Sequence, residues 1–394
     1  MKPTRQPRSQ PRRDAWVEID LGALEHNARA LRALVPADKE LMAVIKADAY
    51  GHGAAMCIPL LEACGVSRVG VASVDEALQL RDAGVETPIL VLGGVPDWAV
   101  PAALAEKLTL TVFTERHLDI LATSYRQTGA PATVHVKVDT GMNRIGVPWR
   151  EAPAFFRACK ALAEGPRAAI RWEGVFTHFA SAEDPAATAT QWQRWQDTLA
   201  GLDALFPTGG APTLRHAANS VGALRFAPAL AGSAMVRMGI AFYGYVSGDP
   251  LPPGPALRPV MGLKARISHL HGVEAGEAVS YGGRFVARRP TRVATLPLGY
   301  ADGVPRGLSD RMEALVRGVR VPQIGSVTMD QLMLDVTDLP GVGPSALEVG
   351  ETVTLLGREG DESITLTDWA RALGTIEYEP MCGRRVRRPK GYVR

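Results

Sequence analysis

The stretch Ala43-Val44-Ile45-Lys46-Ala47-Asp48-Ala49-Tyr50-Gly51-His52-Gly53 decides how the rest of this chain reads. The apolar run Leu41 to Ile45 has the character of a buried strand, and it delivers one lysine to its own end. A Gly-rich turn carrying Tyr50 and His52 follows at once. Such a lysine either snorkels its amine to water or is used covalently, as a Schiff base to a carbonyl substrate or to pyridoxal phosphate. The flanking sequence separates the two readings.

Outward from this stretch, short Val/Ile/Leu runs alternate with helical patterns. The strand candidates are Leu41–Lys46, Arg68–Ala72, Pro88–Leu92, Leu108–Phe113, Thr133–Val138, Trp172–His178, Thr213–Ala217 and Met235–Ile240. Between them lie helical patterns at Ala54–Cys64, Val74–Ala83, Trp98–Glu106, Glu115–Gln127, Glu151–Ala163, Thr188–Leu205 and Val221–Ala227, with Gly or Pro at most junctions. Continuous apolar strands fit a parallel sheet buried on both faces. Eight such βα units predict an α/β fold, a closed (β/α)8 barrel over residues 14–255. After Tyr243-Gly244-Tyr245 the rhythm changes. Residues 249–259 are Pro-rich and read as a linker, and residues 256–394 show short β runs with turns, a mostly-β C-terminal domain. The run Trp16–Ile19 precedes the helical pattern Leu21–Leu34 and is a candidate to pair with that second domain.

Composition sets outer limits. Of 394 residues, 46% are hydrophobic and 22% charged, as in soluble globular proteins. No apolar run is long enough for a membrane span. Residues 1–13 are basic and lack the apolar core of a secretory signal, so they read as a flexible extension. Cys57, Cys64, Cys159 and Cys382 are scattered and read as reduced thiols of a cytoplasmic protein. Residues 1–13 hold five basic side chains and residues 384–394 hold six, with no acid in either. Without these eleven the formal charge of +3 becomes −8, so the basicity belongs to the ends and does not mark a nucleic-acid surface. The pair His269 and His271 shares a strand face but has no third partner in sequence, and no metal site is expected.

Chemistry in a barrel of this kind sits at the C-terminal ends of the strands. The conspicuous polar residues fall there: Lys46 after the first strand, Lys137 and Asp139 at the fifth, His178 at the sixth, Asn219-Ser220 after the seventh, and Arg237 with Gly239-Ile240 at the eighth. The loops after strands seven and eight are the usual phosphate site, where a Ser hydroxyl and backbone N–H groups would suit a phosphate. A lysine at strand one facing such a cradle is a layout for pyridoxal 5′-phosphate.

On these residues, and on the blocks His135–Gly146, Thr177–Ala182, His216–Gly222, Met235–Gly244, Val279–Gly283, Leu296–Gly303, Gly325–Asp335 and Ile376–Cys382, the chain resembles the alanine racemase family from about Trp16 to Pro389. The resemblance implies that Lys46 holds pyridoxal phosphate and is one catalytic base, and that Tyr281 is the other. It implies cofactor contacts from Tyr50, Asn219, Ser220, Gly239, Ile240 and Tyr378, with Arg237 at the pyridine nitrogen and His178 packed by the ring and bonded to Arg237. Arg144, Tyr281, Tyr300, Met329 and Asp330 would meet the substrate. Tyr281, Tyr300, Met329 and Asp330 would act on the partner subunit's cofactor, hence a homodimer. The small-molecule substrate would be L- or D-alanine, and the D-alanine would serve cell-wall peptidoglycan. A broad-specificity amino-acid racemase is the alternative.

The implied roles have a physical logic. Racemisation removes the α-proton from one face and returns a proton on the other, so two bases on opposite faces suffice. A tyrosine serves as a base only if cationic neighbours lower its pKa from about 10, and Arg144, His178 and Arg237 are candidates to supply that field. A guanidinium at the pyridine nitrogen keeps its proton, leaves that nitrogen unprotonated and weakens the electron sink. This opposes decarboxylation, which related barrels carry out with a carboxylate there. Lys137 near Arg144 is like-charge repulsion unless Lys137 is carbamylated, as the resemblance implies. Ser326 stands after Gly325, where relatives frequently carry arginine.

Overall fold

The computed structural model describes residues 14–246, 255–339, 346–383 and 390–393. The basic segment 1–13, residues 247–254 with the first part of the Pro-rich stretch, and the arginines at 384, 385, 387 and 388 lie outside the described residues. The chain divides into two units, one holding Glu25–Ala49 and Gly53–Leu257. The other holds the segment ending at Leu24, Tyr50–His52 and the chain from Arg258 onward.

In the first unit, each barrel strand pairs in parallel with the next along the chain. The order is Glu40–Val44, Arg68–Val71, Ile89–Gly94, Thr109–Val112, Ala132–Asp139, Ile170–Phe176 and Leu214–His216. The eighth strand, Met235–Met238, pairs back onto the first with Arg237 opposite Met42. Between the seventh and eighth strands the link is two backbone hydrogen bonds, Ala234 N to Arg215 O (2.8 Å) and Arg237 N to Ala218 O (3.0 Å). The result is the nearly closed eight-stranded barrel that the apolar runs predict. Consecutive residues are buried, Leu41 to Val44 in the first strand and Thr109 to Val112 in the fourth, so both faces are covered and these strands read as continuous rather than alternating. Met42, Leu90 and Met235, from the first, third and eighth strands, meet in one buried cluster.

Several of the helices between strands begin where the sequence provides a side-chain acceptor for their orphan N–H groups. Ser73 Oγ accepts from Glu76 N, and Thr114 Oγ1 accepts from His117 N. Asp184 Oδ1 accepts from Ala186 N and Ala187 N (2.9 and 3.1 Å). Each cap is worth about 1 kcal/mol. The Asp184 cap, with Pro185 in the first turn, starts the helix Pro185–Leu205 three residues before the expected Thr188, because proline is pre-set for the first helical position.

The second unit is built on a ten-stranded, mostly antiparallel sheet. The strand Ala15–Asp20 lies antiparallel to Met261–Arg266 and parallel to Lys390–Val393. The Trp16–Ile19 run therefore does pair with the β-rich part of the chain. Val273, Val279, Val293, Ile324 and Met333 form one of its apolar clusters. Its helix Leu366–Leu373 starts with a reciprocal box in which Thr365 Oγ1 accepts from Asp368 N (3.2 Å) and Asp368 Oδ2 accepts from Thr365 N (2.8 Å). The strands Glu313–Val316 and Glu362–Ile364 are short and flanked by charge, so no long apolar run marks them in the sequence.

Candidate active site

The first barrel strand ends at Val44, short of the expected Lys46, and the lysine opens a left-handed turn. Ala47, Asp48, Ala49 and Tyr50 have φ between 52° and 57°. For non-glycine residues this conformation costs roughly 1–2 kcal/mol each. Specific hydrogen bonds hold it. Ala49 N donates to Ile45 O (2.7 Å) and Gly53 N to Asp48 O (2.9 Å). Asp48 Oδ1 accepts from Ala54 N (2.8 Å). The Glu76 carboxylate accepts from Ala47 N (2.8 Å) and Ala72 N (2.7 Å), tying the turn to the end of the second strand. Backbone strain in the residues directly after a lysine with candidate covalent chemistry is a mark of preorganisation. Glu76 reads in sequence only as a first-turn helix acid.

Arg237, 3% exposed, is fixed by acceptors. One terminal nitrogen donates to His216 Nδ1 (2.8 Å) and His216 O (2.9 Å). The other donates to Thr177 O (2.7 Å), Ala217 O (3.2 Å) and His178 Nδ1 (3.3 Å). The guanidinium also lies 5.3 Å from the centre of the Phe176 ring. Burial lowers its pKa to about 9, which leaves it charged at neutral pH.

Lys46, Lys137, Arg144, His178 and Arg237 lie within electrostatic reach of one another. Lys137 is 5% exposed. Burial, then Arg144 and Arg237, bring its pKa down to about 8, with Asp139 opposing. Asp139 is itself held by Gly141 N (2.8 Å) and Met142 N (2.9 Å). The sixth strand ends at Phe176, so His178 stands in the following loop rather than on the strand. Burial and the neighbouring Arg237 push its pKa well below 6.5. His178 is therefore neutral and supplies no positive field, contrary to expectation; the cationic groups are the lysines and arginines. Arg144 is exposed in the loop after the fifth strand. This excess of cations fits an anionic occupant carrying a phosphate and a carboxylate.

After the seventh strand, Asn219 Oδ1 accepts from Gly222 N (2.8 Å) and caps the helix Ser220–Arg225. Ser220 Oγ accepts from Gly239 N (2.9 Å), which joins this loop to the one carrying Gly239 and Ile240. The expected cofactor residues Asn219, Ser220 and Gly239 are thus joined, with Ile240 next in the chain after Gly239. Gln191 was not anticipated. It accepts from Ala180 N (2.8 Å) and donates to His178 O and Thr140 Oγ1 (3.3 Å each), so one helical side chain holds two loops of the mouth.

The remaining expected residues belong to the second unit. Tyr50 and Tyr378 have ring centroids 6.0 Å apart. Tyr281 is 77% exposed, Met329 51% and Tyr300 40%, and Asp330 is exposed beside them in sequence. Their loops are stitched together. Ser326 Oγ donates to Tyr281 O (2.9 Å) and Ser280 Oγ donates to Ser326 O (2.8 Å). Tyr300 N donates to Thr328 O (2.9 Å) and Ala301 N to Met329 O (3.1 Å). This approach needs Gly299, where a Cβ would run into the Thr328 carbonyl oxygen. Large exposed apolar side chains on well-anchored loops are the mark of an interaction surface. Among the described residues, no group of three His, Cys, Asp or Glu is placed to hold a metal, and no helix is long and apolar enough to cross a membrane.

Two family models match this chain: alanine racemase, N-terminal domain, over residues 19–247, and alanine racemase, C-terminal domain, over residues 260–392. An alanine racemase from Nostoc sp. is 42% identical over 381 residues, covering 95% of each chain. One from Symbiobacterium thermophilum is 41% identical over 389 residues, covering 96% of this chain and 97% of the relative. Among solved structures, alanine racemase from Bacillus anthracis with bound L-Ala-P has a TM-score of 0.87 at 35% identity, covering 97% of this chain and 95% of that one. A histidine racemase from Leuconostoc mesenteroides subsp. sake has a TM-score of 0.85 at 32% identity, covering 98% and 100%.

Proposed function

The chain belongs to the alanine racemase family, and on that premise we propose that it interconverts L-alanine and D-alanine with pyridoxal 5′-phosphate held on Lys46. The observation that carries this reading is Arg237. Its terminal nitrogens are saturated with carbonyl and imidazole acceptors in the barrel, and no carboxylate is among these partners. The cationic mouth and the Ser220–Gly239 constellation fit the cofactor's phosphate and its phenolic oxygen. When bound, the cofactor supplies an electron sink that acidifies the α-carbon of the amino acid joined to it.

The protein's own groups do the rest. Lys46 Nζ takes or returns the α-proton on one face. Tyr281 of the partner subunit serves the other face in a homodimer, for which the exposed Tyr281, Tyr300 and Met329 surface is suited. Arg237 would donate to the pyridine nitrogen and so leave it unprotonated, with neutral His178 beside it. Arg144 binds the substrate carboxylate. Tyr300, Met329 and Asp330 of the partner subunit line the entry. Lys137, with its lowered pKa, is carbamylated and orients Arg144. The D-alanine formed supplies peptidoglycan synthesis in the cytoplasm.

A broad-specificity racemase is the second reading, because a histidine racemase shares the fold across its whole length. The deciding experiment is proton NMR of the cofactor-loaded protein with a panel of L-amino acids in D2O. Loss of the α-proton confined to alanine, with optical rotation decaying and no amine formed, supports the proposal. Exchange across histidine, lysine and serine moves the assignment to the broader enzyme. Amine formation rejects racemisation in favour of decarboxylation.

A further inference from the structure

Behind Arg237 a line of polar side chains crosses the barrel interior. Arg237 donates to His216 Nδ1 at 2.8 Å. His216 Nε2 faces His135 Nδ1 at 2.8 Å, and His135 Nε2 faces a Glu173 carboxylate oxygen at 3.0 Å. Both imidazoles are 0% exposed. We propose that Glu173 is a positioning residue for Arg237, acting through His135 and His216 to fix both ring tautomers and present a bare nitrogen to the guanidinium. The consequence for a bound pyridine ring rests on the function proposed above; the tautomer chain itself does not.

The argument is one of hydrogen-bond polarity. An ionised carboxylate only accepts, so the proton between Glu173 and His135 sits on His135 Nε2. A neutral imidazole has one N–H, which leaves His135 Nδ1 bare and able only to accept. His216 must then donate from Nε2, and its Nδ1 is bare. A bare nitrogen is what a guanidinium N–H requires. The reverse polarity would set N–H against N–H at Arg237 and a lone pair against a carboxylate at Glu173, and each buried mismatch is costly.

The protonation states this needs are the ones the surroundings impose. Burial would raise the Glu173 carboxyl, but hydrogen bonds from His135 and Arg68 outweigh it and hold the pKa at about 2. Arg68 grips both oxygens at 3.0 and 2.9 Å. Burial lowers His135, and burial with the Arg237 charge lowers His216 well below the usual range, so both rings are neutral. The counter-charge of Arg237 is thus placed two imidazoles away. That gives the guanidinium an acceptor while keeping carboxylates out of its immediate shell.

Two backbone features make the line possible. Val134 pairs with Trp172 but His135 pairs with Gly174, so Glu173 is the extra residue of a bulge between the fifth and sixth strands. A bulge re-aims a side chain that strict alternation would send to the other face. Gly174 leaves room for the His135 ring to cross the sixth strand, since a Cβ there would stand 2.6 Å from Cε1 and 2.7 Å from Nδ1.

The test is nitrogen-15 NMR of histidine-labelled full-length protein at neutral pH, before and after loading with pyridoxal phosphate. Two buried neutral rings protonated at Nε2 with bare Nδ1 are expected in both states. In Glu173→Gln the carboxylate's constraint is gone, because an amide can also donate. The His216 Nδ1 signal should then shift, and in the loaded enzyme kcat for alanine should fall on the order of tenfold with KM little changed. A His216 ring protonated at Nδ1, or charged, in the wild-type spectrum overturns the proposal, and this outcome needs no variant to fold. So does an unmoved His216 signal in folded E173Q. Absence of racemisation with the wild-type tautomers as stated removes the function and leaves the relay standing.

Discussion

The His135 ring lies across Gly174, closer than any side chain at that position would allow. Leu214 O, also 2.6 Å from the place of a Cβ, closes the same gap from the seventh strand. Gly174→Ala therefore meets a ring and a backbone oxygen that cannot both yield. Overpacking of this kind costs about 1–3 kcal/mol. Denaturant unfolding of the variant should show a loss in that range, with the His135–His216 contact broken. Unchanged stability with an unchanged histidine spectrum would contradict the packing described.

The left-handed turn after Lys46 makes the opposite prediction. Ala47 is exposed and sits at φ 53°. Glycine there relieves roughly 1–2 kcal/mol of strain and loses roughly 0.5–1 kcal/mol in chain entropy. Ala47→Gly should leave the protein more stable by about 0.5–1 kcal/mol in denaturant titrations, while the rate of cofactor loading falls as the turn loosens. Destabilisation would show that Ala47 is not strained.

Glu173 sets a pH dependence. Its folded pKa of about 2 lies below the ordinary 4.5, so the unfolded chain binds the proton more readily. The stabilisation is complete above about pH 4.5 and is lost as pH falls from there through about 2, worth about 3 kcal/mol in full. Unfolding free energies measured from pH 5 down to about 2.5 should fall more steeply for wild type than for Glu173→Gln. Parallel curves would mean that the carboxylate is not held as described.

Tyr281 and its anchor separate two effects. Tyr281→Phe keeps the ring and removes only the hydroxyl, so racemisation should fall by roughly 10²–10⁴-fold with the cofactor still bound. Ser326→Ala removes the donor to Tyr281 O and should cost about tenfold in kcat by misplacing the same ring. Wild-type turnover in Y281F would take this tyrosine out of the reaction.

Lys137 offers a chemical handle. With a pKa of about 8, a useful fraction of its amine is neutral near neutral pH. That nitrogen bonds the carbon of dissolved CO2 and sheds a proton, giving a carbamate anion beside Arg144. A carbamate signal from carbon-13 bicarbonate should strengthen as pH rises through about 8 and vanish in Lys137→Ala. A signal that survives the substitution would place the adduct elsewhere.

The order of the eight strands and the placing of Lys46, Lys137, Arg237 and the Asn219-Ser220 pair were legible in the sequence. Buried parallel strands are mostly apolar, so polar residues near or just past their C-terminal ends stand out in the sequence. The relay behind Arg237 was not legible. Its links join residues 21, 81 and 38 positions apart, and only closure of the barrel brings them together. Glu173 was hidden for a further reason: period-two alternation gives it and Gly174 opposite faces, and a bulge in the ladder, invisible to any periodicity, turns it toward His135. The charge of His178 also needed the fold, because an imidazole's protonation depends on what surrounds it, and here burial and Arg237 keep it neutral.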